Sequence, residues 1–363
     1  MPVNPRILIV GAGIAGLALK HNLSRNGVDA DIVERSAAPR TSGTGLYLPG
    51  NAVRALHDLG LGTELEKEAA PVLRQEIRDS DGTILTAFEL SDLWGAVGDC
   101  RAIRRNALHE ILLTAVGRSR VRFGTGLDAV REDGTAIFSD GDSGRYDLIV
   151  GADGIDSAVR PSSITPRFLG QVSWRFVVRS EAVAPGTWTA RLGSRGRTFL
   201  TLPLGDGEVY CFAAIDSRVP EGPAGDWRFL FGGFGEVAGE LLDAADDSYF
   251  SPLYEIPGDD WIAPGRVLIG DAAHACSPSM AQGGAMALED ALVLGSLLAR
   301  DGDVPAVLEA YRERRSARIR FVLEQNHRRD RARNLPAPVR ATVFRRFGLR
   351  IIRANHAALM DRP

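Results

Sequence analysis

The stretch RILIVGAGIAGLALKHNLSRNGVDADIVER, residues 6–35, decides the fold. An apolar run, Arg6 to Val10, reads as a short buried strand. Gly11, Gly13 and Gly16, with Ala12, Ile14 and Ala15 between them, give G-x-G-x-x-G. Leu17, Leu19 and Leu23 follow among polar residues and stop at Gly27, as a helix would. A second strand ends at Glu34. This strand–turn–helix–strand unit opens a doubly wound parallel sheet. The first glycine permits the tight turn, the second lets a pyrophosphate approach the backbone, and the third lets helix and strand pack closely. A helix N-terminus carries about half a positive charge and suits a diphosphate. Glu34 is placed to bond both ribose hydroxyls. That acid argues against a 2′-phosphate, and so for FAD or NAD over NADP at this turn. Arg35 either covers the adenine face or is a solvated strand-end charge.

Working outward, Gly43 to Ala70 reads as loop and short helices. Arg74 to Phe88 alternates around a turn and reads as a hairpin. Asn106 to Val116 is helical, and the segments VRF, LDAV and TAIF are short strands. From about Gly170 a run of strands separated by Gly, Pro and Asp suggests an antiparallel sheet inserted into the first domain. A helix is expected over Trp227 to Leu242, another from Gly283 to Arg300, and a third from Val304 to about Arg331. An Arg-rich tail broken at Pro336 and Pro338 follows and reads as a solvated helix face.

The 363 residues are 45% hydrophobic and 25% charged, with a net charge of −3. This is an ordinary globular composition that gives no reason to expect nucleic acid or an anionic membrane as partner. No apolar run approaches the ~20 residues of a membrane-spanning helix. Three scattered cysteines, Cys100, Cys211 and Cys276, form no metal or redox pair; they suit a reducing, cytoplasmic setting and no metal site.

Two further motifs carry chemistry. In GADGIDSAVR, residues 151–160, Asp153 sits at a strand end in a tight turn, with Arg160 one or two helical turns on. In GDAAHACSPSMAQGGAMALEDA, residues 270–291, Asp271 ends a strand, Pro278 fixes a loop, and Gly283 and Gly284 begin a helix. A carboxylate at Asp271 can accept from a ribityl hydroxyl. Free N–H groups at the helix start can hold an anionic or polar ring edge.

Together the three motifs resemble the class A FAD-dependent monooxygenases, the aromatic-hydroxylase type with the p-hydroxybenzoate hydroxylase fold. The resemblance spans Arg6 to about Arg331. It implies an α/β chain: a Rossmann-type FAD-binding domain at 1–72, 101–168 and 259–331, an antiparallel β-sheet substrate domain at 73–100 and 169–258, and a helical tail at 332–363. It assigns Asp271 to the ribityl–pyrophosphate region, and Gly283, Gly284 and Ala285 to the pyrimidine edge of the flavin. Asp153 and Arg160 go to FAD and to transient contacts with NAD(P)H. Arg105, with Arg104 as a rival, is the flavin-contacting arginine, and Gly45 and Tyr47 lie on the loop beside the ring. Leu127 and Pro278 complete the cofactor set. Ala281 stands where the family usually has glycine.

The implied activity consumes NAD(P)H and O2. A C4a-hydroperoxyflavin hydroxylates or epoxidises an electron-rich aromatic, polyketide-like or unsaturated small molecule, in a monomer or homodimer. Tyr210 is the first catalytic candidate, against a plain sheet-packing tyrosine; Tyr47 is the second. Arg175, Arg191 and Arg197 either meet an acidic substrate or are solvated strand charges, and His274 reads as a structural hydrogen-bonder. A glutathione-reductase-type enzyme would need a second dinucleotide fold and paired cysteines. A flavin halogenase would show W-x-W-x-I-P, which SWRFVV at 173–178 does not match. A reductase or oxidative-rearrangement enzyme of the same superfamily, and a non-catalytic flavin-binding protein, stay open as alternatives.

Overall fold

The computed structural model describes residues 5–39, 44–258, 260–300 and 302–363. A six-stranded sheet runs in the order Ile262–Ala263, Arg266–Leu268, Leu148–Gly151, Ile7–Val10, Asp31–Glu34, Arg122–Phe123. All its pairings are parallel except the first. Ile7–Val10 and Leu148–Gly151 are buried along their whole length, which explains why both read as unbroken apolar runs. The Ile14–Arg25 helix packs beside the Gly283–Leu298 helix, so the first glycine turn and the second glycine pair belong to one lobe.

The second lobe is a seven-stranded sheet in the order Tyr249–Glu255, Arg167–Arg179, Glu208–Asp216, Thr198–Gly205, Thr187–Leu192, Arg74–Asp79, Ile84–Glu89. The 74–89 hairpin joins it through a parallel pairing of Arg74–Asp79 with Thr187–Leu192. Side chains alternate across this sheet. Along Glu208–Asp216, Tyr210 and Phe212 face a cavity, while Val209, Cys211 and Ala213 face a separate aromatic core. That core contains Trp174, Phe176, Phe199, Phe231 and Phe234, with Trp174 stacked on Trp227 at 4.8 Å. Each such side chain contributes roughly 2–3 kcal/mol of burial, which makes the sheet a rigid wall for the cavity.

Three local expectations are revised. Gly45–Leu48 is a strand, paired antiparallel with Cys100–Arg104, within a segment read as loop and short helices; Gly43 lies outside the described residues. The helix expected over Trp227 to Leu242 is split into a 3-10 turn, Trp227–Phe231, and a helix, Glu236–Asp243. Gly232, Gly233 and Gly235 between them favour a bend over continued helix, and Gly235 has φ +82°. The tail forms the Ala337–His356 helix, which packs on the edge strand Ile84–Glu89. It is not wholly solvated: Arg340 is buried and bonds Asp79 Oδ1, Leu192 O and Gly193 O. No helix among the described residues is long and apolar enough to cross a membrane.

Candidate functional site

The three glycines of the first turn are needed for different reasons. Gly11 has φ +102°, and a Cβ there would lie 2.6 Å from Ala152 O. A Cβ on Gly16 would lie 2.0 Å from Gly11 O. Both are demanded by the protein's own packing. Gly13 is not: its φ is −80°, and the nearest atom to an added Cβ is Ala152 O at 4.0 Å. The space over Gly13 opens at a helix N-terminus with no side-chain cap, formed by Ile14, Ala15 and Gly16. A donor-only cradle of this kind fits a pyrophosphate. Glu34 is held rigidly beside it, its Oε2 accepting from Ala12 N at 3.0 Å and its Oε1 from Ser36 N at 2.9 Å. Arg35 is exposed, and Leu127 is buried at the start of the Leu127–Val130 strand.

Asp153 Oδ2 accepts from Ala158 N at 2.7 Å, whereas its Oδ1 is buried without a partner. Burial raises its pKa. Residues 152–166 form turns, with Gly154 at φ +81° and Pro161 among them, in keeping with the tight turn expected at Asp153. Arg160 therefore does not follow Asp153 along a helix face. It donates to Ile155 O, to Ile164 O at 3.1 Å and to Ala272 O at 3.1 Å, tying this loop to the Asp271 turn.

The strand before that turn ends at Leu268, and Asp271 opens a single helical turn, Asp271–His274. The Asp271 carboxylate is exposed and makes no hydrogen bond among the described residues. Beneath it lies a buried charge network that the sequence did not reveal. Asp290 Oδ2 accepts from Gly270 N at 2.9 Å and meets His274 Nε2 at 2.6 Å. Arg315 Nε bonds Asp290 at 2.8 Å, and Arg315 and Arg318 both bond Glu289. Asn51 links Glu289 to Gln282, the residue before the glycine pair. His274 is thus a buried structural partner.

The Gly283–Leu298 helix has Gln282 at its N-cap position with no side-chain cap, leaving the N–H groups of Gly283, Gly284 and Ala285 without intrahelical acceptors. A Cβ on Gly283 or Gly284 would approach no protein atom closer than 3.8 Å. The protein does not need glycine there, whereas a flat ring lying against the backbone does. Open space at Gly13, Gly283 and Gly284, with the orphaned Asp153 Oδ1, fits an extended FAD. Ala281 has φ +52°, so the departure from glycine falls on left-handed backbone at a cost of about 1–2 kcal/mol.

Gly283 and Gly284 line a cavity of about 540 Å³ that also takes in Gly45, Asp271, Pro278 and the inner face of the second lobe. Trp188, Leu200, Leu202, Tyr210 and Phe212 form its sheet wall. Burial pushes the Tyr210 phenol up to about 12, so it is a neutral donor at physiological pH. The Tyr47 ring lines the same cavity and stacks on Trp188 at 4.9 Å, but its hydroxyl is buried beside Cys100. Arg104 is engaged by Glu208 at 2.7 and 2.9 Å. Arg105 is exposed and close enough to act on Tyr210 electrostatically. Arg175 lies over Phe212, whereas Arg191 and Arg197 are on the opposite face of the sheet from the cavity.

The C-terminal helices supply lining that the sequence reading missed: Arg329 and Arg333 from Val304–Arg333, and Phe344, Ile351 and Ile352 from Ala337–His356. The available signal was spacing, since Arg329 and Arg333 stand four residues apart on one helical face.

Residues 5–180 and 260–326 match the FAD binding domain family model. The chain is 33% identical to an FAD-dependent urate hydroxylase of Klebsiella pneumoniae, with 90% of each chain covered. It is 32% identical to the 2-heptyl-3-hydroxy-4(1H)-quinolone synthase of Pseudomonas aeruginosa, covering 88% of this chain and 87% of that one. A crystal structure of Klebsiella pneumoniae HpxO complexed with FAD and uric acid superposes with a TM-score of 0.91 at 28% identity, over 100% of this chain and 98% of that one. The expected fold and cofactor are thereby met, with NAD(P)H the usual co-substrate of such enzymes. The chain belongs to the FAD-binding-domain family and is a flavoenzyme of the class A FAD-dependent monooxygenases.

Proposed function

We propose that the enzyme hydroxylates a flat, electron-rich aromatic or heteroaromatic molecule at the expense of NAD(P)H and O2. One observation carries this reading. A single cavity has the uncapped helix start at Gly283 and Gly284 on one side and an apolar sheet wall bearing Tyr210 on the other. FAD, when bound, supplies the reduction and oxygen-transfer chemistry.

The protein's residues position and exclude. The N–H groups of Gly283, Gly284 and Ala285 donate to the pyrimidine edge and favour negative charge on it. Asp271 accepts from a ribityl hydroxyl, Glu34 from the ribose, and the first helix N-terminus holds the pyrophosphate. Asp153 and Arg105 would contact the FAD outside the cavity lining. Trp188, Leu200, Leu202 and Phe212 keep water from the reacting ring. Tyr210 donates to an oxygen of the substrate, whereas Tyr47 serves as wall through its ring. The relatives named for urate and quinolone chemistry support a planar ring as substrate. A third relative, 33% identical, is a 3-amino-4-hydroxybenzoate 2-monooxygenase of Streptomyces platensis. Three free cysteines support a cytoplasmic site of action.

The test is a screen of phenolic, indolic and polyketide compounds for stimulated NAD(P)H oxidation, with product masses checked for one added oxygen. A stimulating compound recovered with that added mass is the expected result. Flavin that stays oxidised under excess NADH and NADPH with every compound would overturn the reading.

A further inference from the structure

The cavity contains a cation that makes no ion pair among the described residues. Arg329 lines it from the Val304–Arg333 helix, and its guanidinium makes one hydrogen bond among the described residues, to Met280 Sδ at 3.4 Å. The acid acting on it is Asp330, whose Oδ1 is already bonded to the hydroxyls of Ser277 at 3.1 Å and Ser279 at 2.5 Å. One helical turn on, Arg333 bonds Gln171 Oε1 at 2.8 Å and Asp216 Oδ1 at 2.5 Å, and keeps a buried Nε without a partner. Phe212, Phe344 and Ile352 line the same cavity.

Burial lowers Arg329 to about 10, so it stays charged at neutral pH. A partly buried guanidinium whose hydrogen-bond partner is a weak thioether acceptor is better satisfied when something anionic completes it. Its planar fork matches a carboxylate bidentately. We propose that Arg329, supported by Arg333, anchors the carboxylate of an aromatic acid whose ring lies against the apolar sheet wall. The C-terminal helices are then the specificity element of the enzyme. The proposal rests on the monooxygenase reading for what happens to the ring, but not for how the acid is held.

The test uses the FAD-loaded full chain with two probes, 3-hydroxy-2-naphthoate and its neutral amide, 3-hydroxy-2-naphthamide. Binding is followed by perturbation of the flavin spectrum and, independently, by calorimetry. The acid is expected to bind at least 30-fold tighter than the amide. Arg329→Gln should remove at least tenfold of that preference, and Arg329→Lys should keep most of it, with flavin content and melting temperature unchanged in both. Equal binding of the two probes, binding of neither, or a preference that survives Arg329→Gln would overturn the anchor. Purified chain that prefers the acid by calorimetry yet takes up no FAD would leave the anchor standing and sink the flavin reading instead.

Discussion

The backbone of Gly45 packs directly on the root of the Tyr210 side chain: a Cβ there would lie 2.3 Å from Tyr210 Cβ and 2.4 Å from its Cγ. Gly45 is thus fixed by the tyrosine opposite it. Because the clash is with the base of the ring and not a mobile tip, either the Gly45–Leu48 strand or Tyr210 must shift in Gly45→Ala. That variant should keep its flavin and lose turnover, with the loss reproduced rather than compounded in Gly45→Ala/Tyr210→Phe. Additive losses in steady-state kinetics would show that the two residues act separately.

Tyr210→Phe removes a neutral donor from the cavity while leaving the ring in place. Loss of one hydrogen bond to the substrate costs about 1–1.5 kcal/mol, or about tenfold in kcat/KM. Flavin reduction by NAD(P)H should change less. Tyr47→Phe should leave kcat/KM nearly untouched, since that hydroxyl points into protein beside Cys100. Parallel kinetics on one substrate decide the matter; a larger loss in Tyr47→Phe than in Tyr210→Phe would reverse the assignment.

Gly13 and Gly16 separate ligand binding from folding. Gly13→Ala adds a methyl facing open space, so the apoprotein should lose under about 1 kcal/mol, the difference between glycine and alanine at an N-cap. Its FAD affinity should drop at least tenfold. Gly16→Ala drives a methyl into Gly11 O and should cost the apoprotein itself about 1–3 kcal/mol. Thermal melts of the two apoproteins, paired with FAD titrations, check both. Normal FAD affinity in Gly13→Ala would refute the pyrophosphate cradle.

Local patterns made most of the fold legible. Unbroken apolar runs marked the parallel strands, alternation marked the 74–89 hairpin, strands separated by Gly, Pro and Asp marked the inserted sheet, and three linked glycine or acid motifs pointed to the family and its cofactor. What stayed hidden depends on contacts between distant segments. Arg329 reads as one more arginine on a charged helix until the fold turns it into a cavity shared with Gln171 and Pro278. Nothing local in MALEDA marks Asp290, yet it is fully buried, and Gly270, His274 and Arg315 converge on it from separate segments. The parallel pairing of Arg74–Asp79 with Thr187–Leu192 has no local signal at all.

That convergence on Asp290 yields a pH-dependent prediction. Burial alone would raise its pKa, but His274 and Arg315 outweigh that and hold the carboxyl at about 2. A carboxyl depressed on folding adds stability above its unfolded value, near 3.9, and that stability is lost as pH falls from there through the folded value. Asp290→Asn removes the charge and leaves Arg315 with Glu289 as its remaining acid. We expect it to destabilise the protein by about 3 kcal/mol in urea titrations at neutral pH, as for other broken buried pairs. It should also weaken FAD binding by loosening the Gly270 turn. The gap between wild type and variant should be flat in the neutral range and narrow on acidification below about pH 4. A gap that stays constant down to about pH 3 would mean that Asp290 contributes through shape rather than charge.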